Sequence, residues 1–282
     1  MLILDVLKSI IYGIVEGITE WLPISSTGHL ILLEDIIPFK SISNPESFSE
    51  MYDVVIQLGA IIAVLLLFFK KLWPFRNKPS LQGAERYVNL KSINLWLKVL
   101  VASLPSAIIG LPLDDFLDAH LYNKITVSIT LILYGILFIL VERFNKSRTP
   151  KINTTSEITF TTAALVGCFQ MLALIPGTSR SGATILGAIL IGLSRPAAAE
   201  FSFFLAIPTM VGASLLKIVK FLGENTFGGE EILILLTGMI VSFVVSVLAI
   251  RALMAYVKKK DFSFFGYYRI VLGLIVLAFV IF

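Results

Sequence analysis

Two short polar segments interrupt a chain whose composition is otherwise typical of a membrane protein. The chain is 57% apolar and only 15% charged, which places it among proteins with several membrane-spanning helices. Residues 16–30 nevertheless combine two carboxylates, a Ser-Ser-Thr run and a histidine, while residues 176–184 combine an arginine with hydroxyls and glycines. An ionisable group at membrane depth costs about 2.5–3.5 kcal/mol on insertion scales. Such clusters therefore indicate function rather than packing.

The composition also excludes several classes of protein. No stretch is polar enough to fold as a soluble domain, so we expect a single membrane domain over residues 1–282. The net charge of +4 does not indicate a nucleic-acid partner, because the basic residues lie in short loops between apolar runs. The first apolar run contains Asp5 and lacks a small-residue cleavage site after it, so we expect it to be retained. The lone Cys168 excludes an internal disulfide, and its apolar neighbours predict a buried thiol.

Ten apolar segments can be recognised along the chain. They are residues 2–18, 24–38, 51–70, 93–112, 124–142, 157–175, 180–193, 198–220, 231–254 and 267–282. A spanning helix needs about 20 residues. Segments 24–38 and 180–193 are shorter and begin at proline-led, hydroxyl-rich turns, so each is predicted to form a re-entrant hairpin with the segment before it. The fold class is thus all-α, with six transmembrane helices and two re-entrant hairpins.

The two halves of the chain resemble each other. A shift of 154 residues aligns Gly13 with Gly167, Glu16 with Gln170, and Gly28 with Gly182. Chance identity in an apolar chain is the alternative, but the order of segments also matches. A hairpin does not change sides and three spans do, so repeat 1 (about 1–150) and repeat 2 (about 151–282) are predicted to be inverted. Interrupted helices at matching positions of inverted repeats indicate a shared site near the bilayer midplane.

The basic residues orient this topology. With the N-terminus on one side, the opposite side receives thirteen: Lys70, Lys71, Arg76, Lys78, Arg86, Lys91, Arg143, Lys146, Arg148, Lys151, Lys258, Lys259 and Lys260. The N-terminal side receives five: Lys8, Lys40, Lys124, Lys217 and Lys220. Because cytoplasmic loops carry the excess of Lys and Arg, both termini are predicted to face outward.

Glu16 and Glu20 are four residues apart and share one face of a helix. Two poorly solvated carboxylates this close cannot both ionise cheaply unless a cation lies between them. They therefore indicate a divalent metal site or a general base, with a hydrogen-bonded pair between helices as the structural alternative.

The residues after Glu20 suggest an anion site. One of Ser25, Ser26 and Thr27 is enough to cap the next helix, and the remaining hydroxyls with the helix amides can hold an anion. His29, in the first turn of that helix, is either a packed core residue or a base, and a contact with Glu20 is sterically feasible.

Arg180 is the most informative single residue. A guanidinium at a helix N-terminus is repelled by the helix dipole and needs an anion. A carboxylate of the first segment would make a structural salt bridge. A phosphate fits the neighbouring hydroxyls Ser179, Ser181 and Thr184 better, because the guanidinium fork matches phosphate oxygens. Glu200, farther along, is a candidate to support the site.

Both polar segments resemble the signature motifs of the undecaprenyl-diphosphate phosphatase family, the bacitracin-resistance type of membrane phosphatase. The run Glu200-Phe201-Ser202-Phe203 and the order of segments are similar as well, so the resemblance covers nearly the whole chain. It implies hydrolysis of undecaprenyl diphosphate to the monophosphate and phosphate, which recycles the cell-wall lipid carrier. It also implies a divalent cation (Mg²⁺ or Ca²⁺), a bacterial plasma membrane location with an outward-facing site, and possible homodimers.

By motif position, the family's roles fall on Glu16, Glu20, Ser26, His29, Ser179, Arg180 and Thr184. Together with the reading of the residues themselves, this gives catalytic candidates Glu16, Glu20, Ser26, His29 and Arg180, with Glu16 and Glu20 also as metal ligands. The substrate-binding candidates are Ser25, Thr27, Ser179, Ser181 and Thr184. The nucleophile is left open between Ser26, His29 and a water activated by Glu20 and His29.

The competing class is a lipid or small-anion transporter or flippase, because inverted repeats with broken helices are also a transporter architecture. The density of nucleophile and acid–base candidates favours an enzyme.

The asymmetry of basic residues predicts a topology that labelling can test. In a Cys168→Ser background, single cysteines in residues 113–123 should react with an impermeant thiol reagent added to intact cells. A cysteine in residues 72–91, such as Ser80→Cys, should react only after permeabilisation. Labelling of the Ser80→Cys protein in intact cells would contradict this orientation.

Overall fold

The computed structural model describes residues 1–42, 44–77 and 83–281. Within these ranges the protein is helical, and β-structure is limited to isolated bridges. The α-helices are α1 (Leu2–Thr19), α2 (Ser26–Ile36), α3 (Pro45–Val55), α4 (Gln57–Leu67), α5 (Phe69–Leu72), α6 (Leu90–Leu121), α7 (Lys124–Asn145), α8 (Phe160–Met171), α9 (Arg180–Ile191), α10 (Arg195–Glu224), α11 (Gly229–Tyr256) and α12 (Ser263–Ile281). Lys78 and Ser80, which enter the topology prediction, lie outside the described residues.

Six helical segments are long and apolar enough to cross a membrane. They are Pro45–Leu67, which joins α3 to α4, and the helices α6, α7, α10, α11 and α12. These are the six spans that the sequence predicts, so the all-α fold class with six spans is confirmed. The protein is a multi-pass membrane protein.

The ends of α6 differ from the prediction. The segment predicted over residues 93–112 is helical from Leu90 to Leu121, and Pro105 and Pro112 both lie inside the helix. Proline is tolerated within membrane helices because neighbouring groups satisfy the freed carbonyls. Most of the predicted loop over residues 113–123 is therefore the last turns of α6.

The predicted hairpin segments are short helices. Helices α2 and α9 have 11 and 12 residues, which at 1.5 Å per residue is about 17 Å, roughly half of a 30 Å hydrocarbon core. Helix α1 packs against α2, and α8 packs against α9. Their re-entrant path and the inverted orientation of the two halves stay predictions.

The first helix of each half packs closely on a long helix of the other half. A Cβ atom added to Gly13 of α1 would lie 2.6 Å from the carbonyl oxygen of Gly238 in α11, and one added to Gly167 of α8 would lie 2.2 Å from that of Ala102 in α6. Such small-residue contacts let membrane helices approach backbone to backbone. The packing of α1 is thus matched by that of α8, the helix that the 154-residue shift aligns with it.

The last helices of the two halves, α7 and α12, pack on each other in the same reciprocal way. A Cβ atom on Gly135 would lie 2.7 Å from the carbonyl oxygen of Gly266, and one on Gly266 would lie 2.7 Å from that of Gly135. The buried core continues through α9 and the Phe-rich start of α10, where Phe201, Phe203 and Phe204 are fully buried. The long helices thus pack around α2 and α9, the short helices that follow the two polar turns.

One prediction about packing is wrong. Cys168 is exposed on α8, whereas its apolar neighbours suggested a buried thiol. In a membrane helix, apolar residues also cover the surface that faces lipid, so apolar neighbours do not distinguish the core from that surface.

Candidate active site

The predicted site residues lie in, or within five residues of, two turns, one in each half. Turn 1 joins α1 to α2 through residues 20–25, and turn 2 joins α8 to α9 through residues 172–179. Each ends in a serine with positive φ, 72° at Ser25 and 70° at Ser179. Both side chains accept a hydrogen bond from the backbone N–H three residues later and so cap the following helix. Non-glycine residues in this conformation are strained, so the surrounding contacts must hold both turns.

A chain of hydrogen bonds joins the two turns. Arg180 donates from Nη2 to Glu20 Oε1 at 2.9 Å, and Ser26 donates from Oγ to Glu20 Oε2 at 2.8 Å. The sequence left open whether Arg180 pairs with a carboxylate or with a phosphate, and here its partner is the carboxylate of Glu20. The Arg180 Nε is buried without a hydrogen-bond partner among the described residues. One donor of the guanidinium therefore remains for a further anion.

Hydroxyl groups surround this ion pair. Arg180 Nη1 donates to the Ser202 carbonyl oxygen at 2.7 Å, and the Ser202 and Thr184 hydroxyls are 2.7 Å apart. Ser181 Oγ donates to the Glu20 carbonyl oxygen at 3.1 Å. Thr184 and Ser181 thus support the positions of Ser202 and Glu20, and their role as substrate ligands stays a prediction. The Ser179 hydroxyl lies 3.1 Å from that of Ser181.

Glu16 lies in α1 one turn before Glu20 and is completely buried. Both of its carboxylate oxygens lack a hydrogen-bond partner among the described residues. Gln170, its counterpart after the 154-residue shift, is also buried, but its amide donates to Ser106 at 2.7 Å and to Thr209 at 3.2 Å. A buried ionised carboxylate without a partner is costly, so Glu16 needs a proton or a cation to be stable there.

His29 does not make the predicted contact with Glu20. Its Nδ1 lies 2.7 Å from the Ser25 carbonyl oxygen, and its Nε2 lies 2.8 Å from the Tyr268 hydroxyl. Since a carbonyl oxygen only accepts, Nδ1 carries the proton of the neutral ring and Nε2 accepts from Tyr268. The two rings also stack, with centroids 5.7 Å apart. The His29 ring is therefore oriented by the Ser25 carbonyl and by Tyr268 of α12 rather than by Glu20.

Arg269 in α12 is a second buried arginine, and it donates hydrogen bonds to both turns. Its Nη1 donates to the Pro23 carbonyl oxygen at 3.3 Å, and its Nη2 donates to those of Gly177 at 2.8 Å and Thr178 at 3.0 Å. The side chain is fully buried and lies over the ring of Tyr134. Buried backbone carbonyl groups need hydrogen-bond donors. Arg269 supplies them for both turns at once.

Thr27 lines a cavity of about 380 Å³ beside the turns. Pro176 of turn 2 and the apolar faces of α6 and α10 complete its wall, including Gly212, and its far end reaches Asp118 and Lys217. Gly212 is exposed, and a Cβ atom there would meet nothing within 4 Å. The cavity is therefore an open, largely apolar cleft that leads from the turns toward the end of α6.

Several polar residues in or near the site lie outside the set that the sequence predicts. Arg269, Ser202, Tyr268 and Asp53 were not selected, and the buried Asp53 has one carboxylate oxygen without a partner among the described residues. An ionisable residue inside an apolar segment is a signal for function, and it was present for Arg269 and Asp53. Ser202 and Tyr268 carried no such signal. Glu200, which was selected, binds Lys71 and Thr155 instead of the site residues.

The carboxylates fit a cation only in part. No group of three or more His, Cys, Asp or Glu side chains within residues 1–42, 44–77 and 83–281 is arranged to hold a metal. Glu20 already accepts from Arg180 and Ser26, while Glu16 has two free oxygens. Glu16 is therefore the group that a cation would satisfy, with Glu20 as its neighbour one turn away.

Comparison with known proteins now places the chain. The family model of the bacitracin resistance protein BacA matches residues 9–275. The chain belongs to the BacA family. It is similar to the undecaprenyl-diphosphatase of Enterococcus faecalis, with 58% identity over 100% of both chains. The undecaprenyl-diphosphatases of Acetivibrio thermocellus and Limosilactobacillus fermentum are 57% and 56% identical, each over 98% of both chains. Both turns and Arg269 lie inside the range that the BacA model matches.

The two buried arginines of this BacA-family protein should respond differently to substitution. Arg269→Met leaves three buried carbonyl groups without a donor, at about 1–3 kcal/mol each, and should lower the melting temperature in detergent markedly. Arg180→Lys keeps a charge next to Glu20 and should melt close to the unmodified protein. Arg251→Met, at an exposed arginine of α11, is the matched control. Equal melting temperatures for the Arg269→Met and Arg251→Met proteins would contradict the structural role of Arg269.

Proposed function

We propose that the protein hydrolyses undecaprenyl diphosphate to undecaprenyl phosphate and inorganic phosphate. This reaction recycles the lipid carrier of cell-wall synthesis and gives resistance to bacitracin. The observation that carries the proposal is the chain from Arg180 through Glu20 to Ser26, which links a cation, a base and a hydroxyl across two turns. The names of the full-length relatives support the same substrate.

Phosphoryl transfer depends on positioning and on neutralising the charge of the phosphate oxygens. Arg180 is the fixed cation of the site, and its free Nε can donate to a phosphate oxygen. The N-terminal amides of α2 and α9 are further donors. We assign the neutralisation of the diphosphate to these groups.

Ser26 is the favoured nucleophile because its Oγ already donates to Glu20 at 2.8 Å. In the proposed step, the Ser26 oxygen bonds to the terminal phosphorus, its proton passes to Glu20, and undecaprenyl phosphate leaves. Water then cleaves the phosphoserine and restores the hydroxyl. His29 remains the alternative nucleophile through Nε2, which would require the Tyr268 hydroxyl to leave it.

A divalent cation, Mg²⁺ or Ca²⁺, would be held by the oxygens of Glu16, with Glu20 as the second carboxylate. When bound, it would add positive charge next to the phosphate oxygens. Independently of it, Glu16 is a buried carboxylate beside Glu20 and needs a proton or a cation to be stable there.

The prenyl chain would occupy the cleft beside Thr27, because its wall is apolar and open at Gly212. The cleft leads toward Asp118 and the end of α6, which the basic-residue asymmetry assigns to the outer side. We therefore propose that the site opens to the outer face of the bacterial plasma membrane.

A phosphate-release assay tests the function and discriminates it from lipid transport. Purified protein should release phosphate from farnesyl and longer prenyl diphosphates. Arg180→Lys keeps the charge but loses the planar fork, so turnover should fall about 10²–10³-fold, as for the loss of one transition-state donor. A protein that binds the lipid without releasing phosphate would favour the transporter, and near-normal turnover by the lysine variant would make Arg180 structural.

The cation site predicts a direct binding measurement. Calorimetric titration with Mg²⁺ or Ca²⁺ should show binding to the unmodified protein and none to Glu16→Gln, because the amide removes the free carboxylate. Glu46→Gln, at an acidic residue in the first turn of α3, is the control. Cation binding that persists in the Glu16→Gln protein would move the site elsewhere.

A quench experiment identifies the nucleophile. With terminally labelled substrate, an acid quench should trap label on Ser26 as phosphoserine, which is acid-stable. An alkaline quench preserves phosphohistidine and would reveal attack by His29. Label on neither residue, under conditions that trap both, would indicate direct attack by water. Substitution alone cannot decide, because Ser26→Ala and His29→Ala should both be nearly inactive.

A further inference from the structure

A second cavity, lined by several lysines, lies away from the catalytic turns. It has a volume of about 710 Å³ and is bordered by α5, the start of α6 and the loop of residues 154–156. Four lysines line it: Lys70, Lys71, Lys91 and Lys98. In the part of the chain that the structure describes, no acidic side chain lines this cavity. We call it the lysine cavity.

Lys98 is the residue that topology alone does not explain. It lies eight residues into α6, about 12 Å from the start of the helix, whereas positive-inside lysines belong to the loops. Its side chain is only 8% exposed, and it makes no hydrogen bond or ion pair with any residue in the described ranges. A lysine that lines a cavity without a described counter-charge makes that cavity electropositive, which favours a bound anion.

A second side chain in the cavity is also unsatisfied. The Ser92 hydroxyl is buried, lines the same space and has no partner among residues 1–42, 44–77 and 83–281. Amide groups of Asn89 and Asn94 lie on the same wall. The cavity therefore combines free donors with positive charge, the chemistry that binds an anion with several oxygens.

The neighbouring carboxylate does not neutralise the cavity. Glu200 accepts from Lys71 at 2.6 Å and from Thr155 at 2.9 Å with the same oxygen. That pair accounts for one of the four lysines and leaves the others, including Lys98, without a described carboxylate.

We propose that the lysine cavity is a second phosphate site, which holds the phosphate group of an anionic lipid or free phosphate. Basic pockets between membrane helices on the cytoplasmic side bind phosphate head groups in this way. Lys98 and Ser92 contact the phosphate oxygens, and Lys71 stays with Glu200. The site is separate from Arg180 and takes no part in the hydrolysis.

Reductive labelling with pyridoxal phosphate tests the proposal at individual lysines. The aldehyde of this phosphate-bearing probe condenses with a lysine amine and releases water, and borohydride then reduces the imine. In nanodiscs of phosphatidylcholine alone, Lys98 should be labelled ahead of Lys260, an exposed lysine that does not line the cavity. Peptide mass spectrometry reports each site, and the Arg180→Lys protein should give the same pattern.

Two arms of the experiment distinguish the sources of phosphate. Protection of Lys98 in nanodiscs that also contain phosphatidic acid supports a lipid head-group site, and protection only by added inorganic phosphate supports a free-phosphate site. Inorganic phosphate should raise the melting temperature of the protein. The apparent affinity for phosphate in this assay should fall about tenfold or more in the Lys98→Gln protein, as for loss of a charged donor. The Lys260→Gln protein should keep the affinity of the unmodified protein. Absence of preferential labelling, or no protection in either arm, would overturn the proposal.

Discussion

The ion pair between Glu20 and Arg180 is the interaction on which the arrangement of the two turns depends. Its partners come from different halves of the chain and meet at 2.9 Å with little exposure of either side chain. A buried pair recovers its desolvation cost only when further hydrogen bonds satisfy both groups. Ser26 does so for the Glu20 carboxylate, and Ser202 does so for Arg180, while Ser181 binds the backbone carbonyl of Glu20. In the proposed reaction a phosphate oxygen would accept from the free Nε of Arg180, so the ion pair would stay in place while the other oxygen of Glu20 accepts the proton of Ser26.

The two turns share a backbone arrangement but not their chemistry. Ser25 and Ser179 occupy equivalent positions, have the same strained conformation and cap their helices in the same way. The next residue is a hydroxyl in one half, Ser26, and a cation in the other, Arg180. A repeated turn thus delivers two different groups to one point, and each half supplies what the other lacks. Strain of this kind is found at functional sites, where the surrounding structure holds it.

The sequence predicts the helices and turns of this protein better than it predicts which side chains contact one another. Spans and turns are visible because polar residues are expensive in an apolar chain, and this signal selected Glu16, Glu20 and Arg180. It does not show which groups meet. The partner of His29 is Tyr268, far away in sequence, and no local pattern marks that contact. Helix ends also depend on contacts that the local sequence does not show. Pro105 and Pro112 stay within α6, because neighbouring groups satisfy the carbonyls that each proline leaves free. Arg269 carried a readable signal, because it is a charge within the last apolar segment.

Closely packed helices lie beside an open cleft in this molecule. This distribution suits a mechanism that depends on the fixed position of the reacting groups. The glycine contacts at Gly13, Gly167 and Gly135 bring backbones together with no room for a side chain, and Arg269 binds three carbonyl groups of the two turns. These contacts hold Ser26 and Arg180 in one geometry, which phosphoryl transfer requires because positioning supplies most of its catalysis. Gly212 differs, since space surrounds it on the cleft beside Thr27. A long prenyl chain has many conformations, so a loose cleft for the chain is compatible with a tight site for its diphosphate.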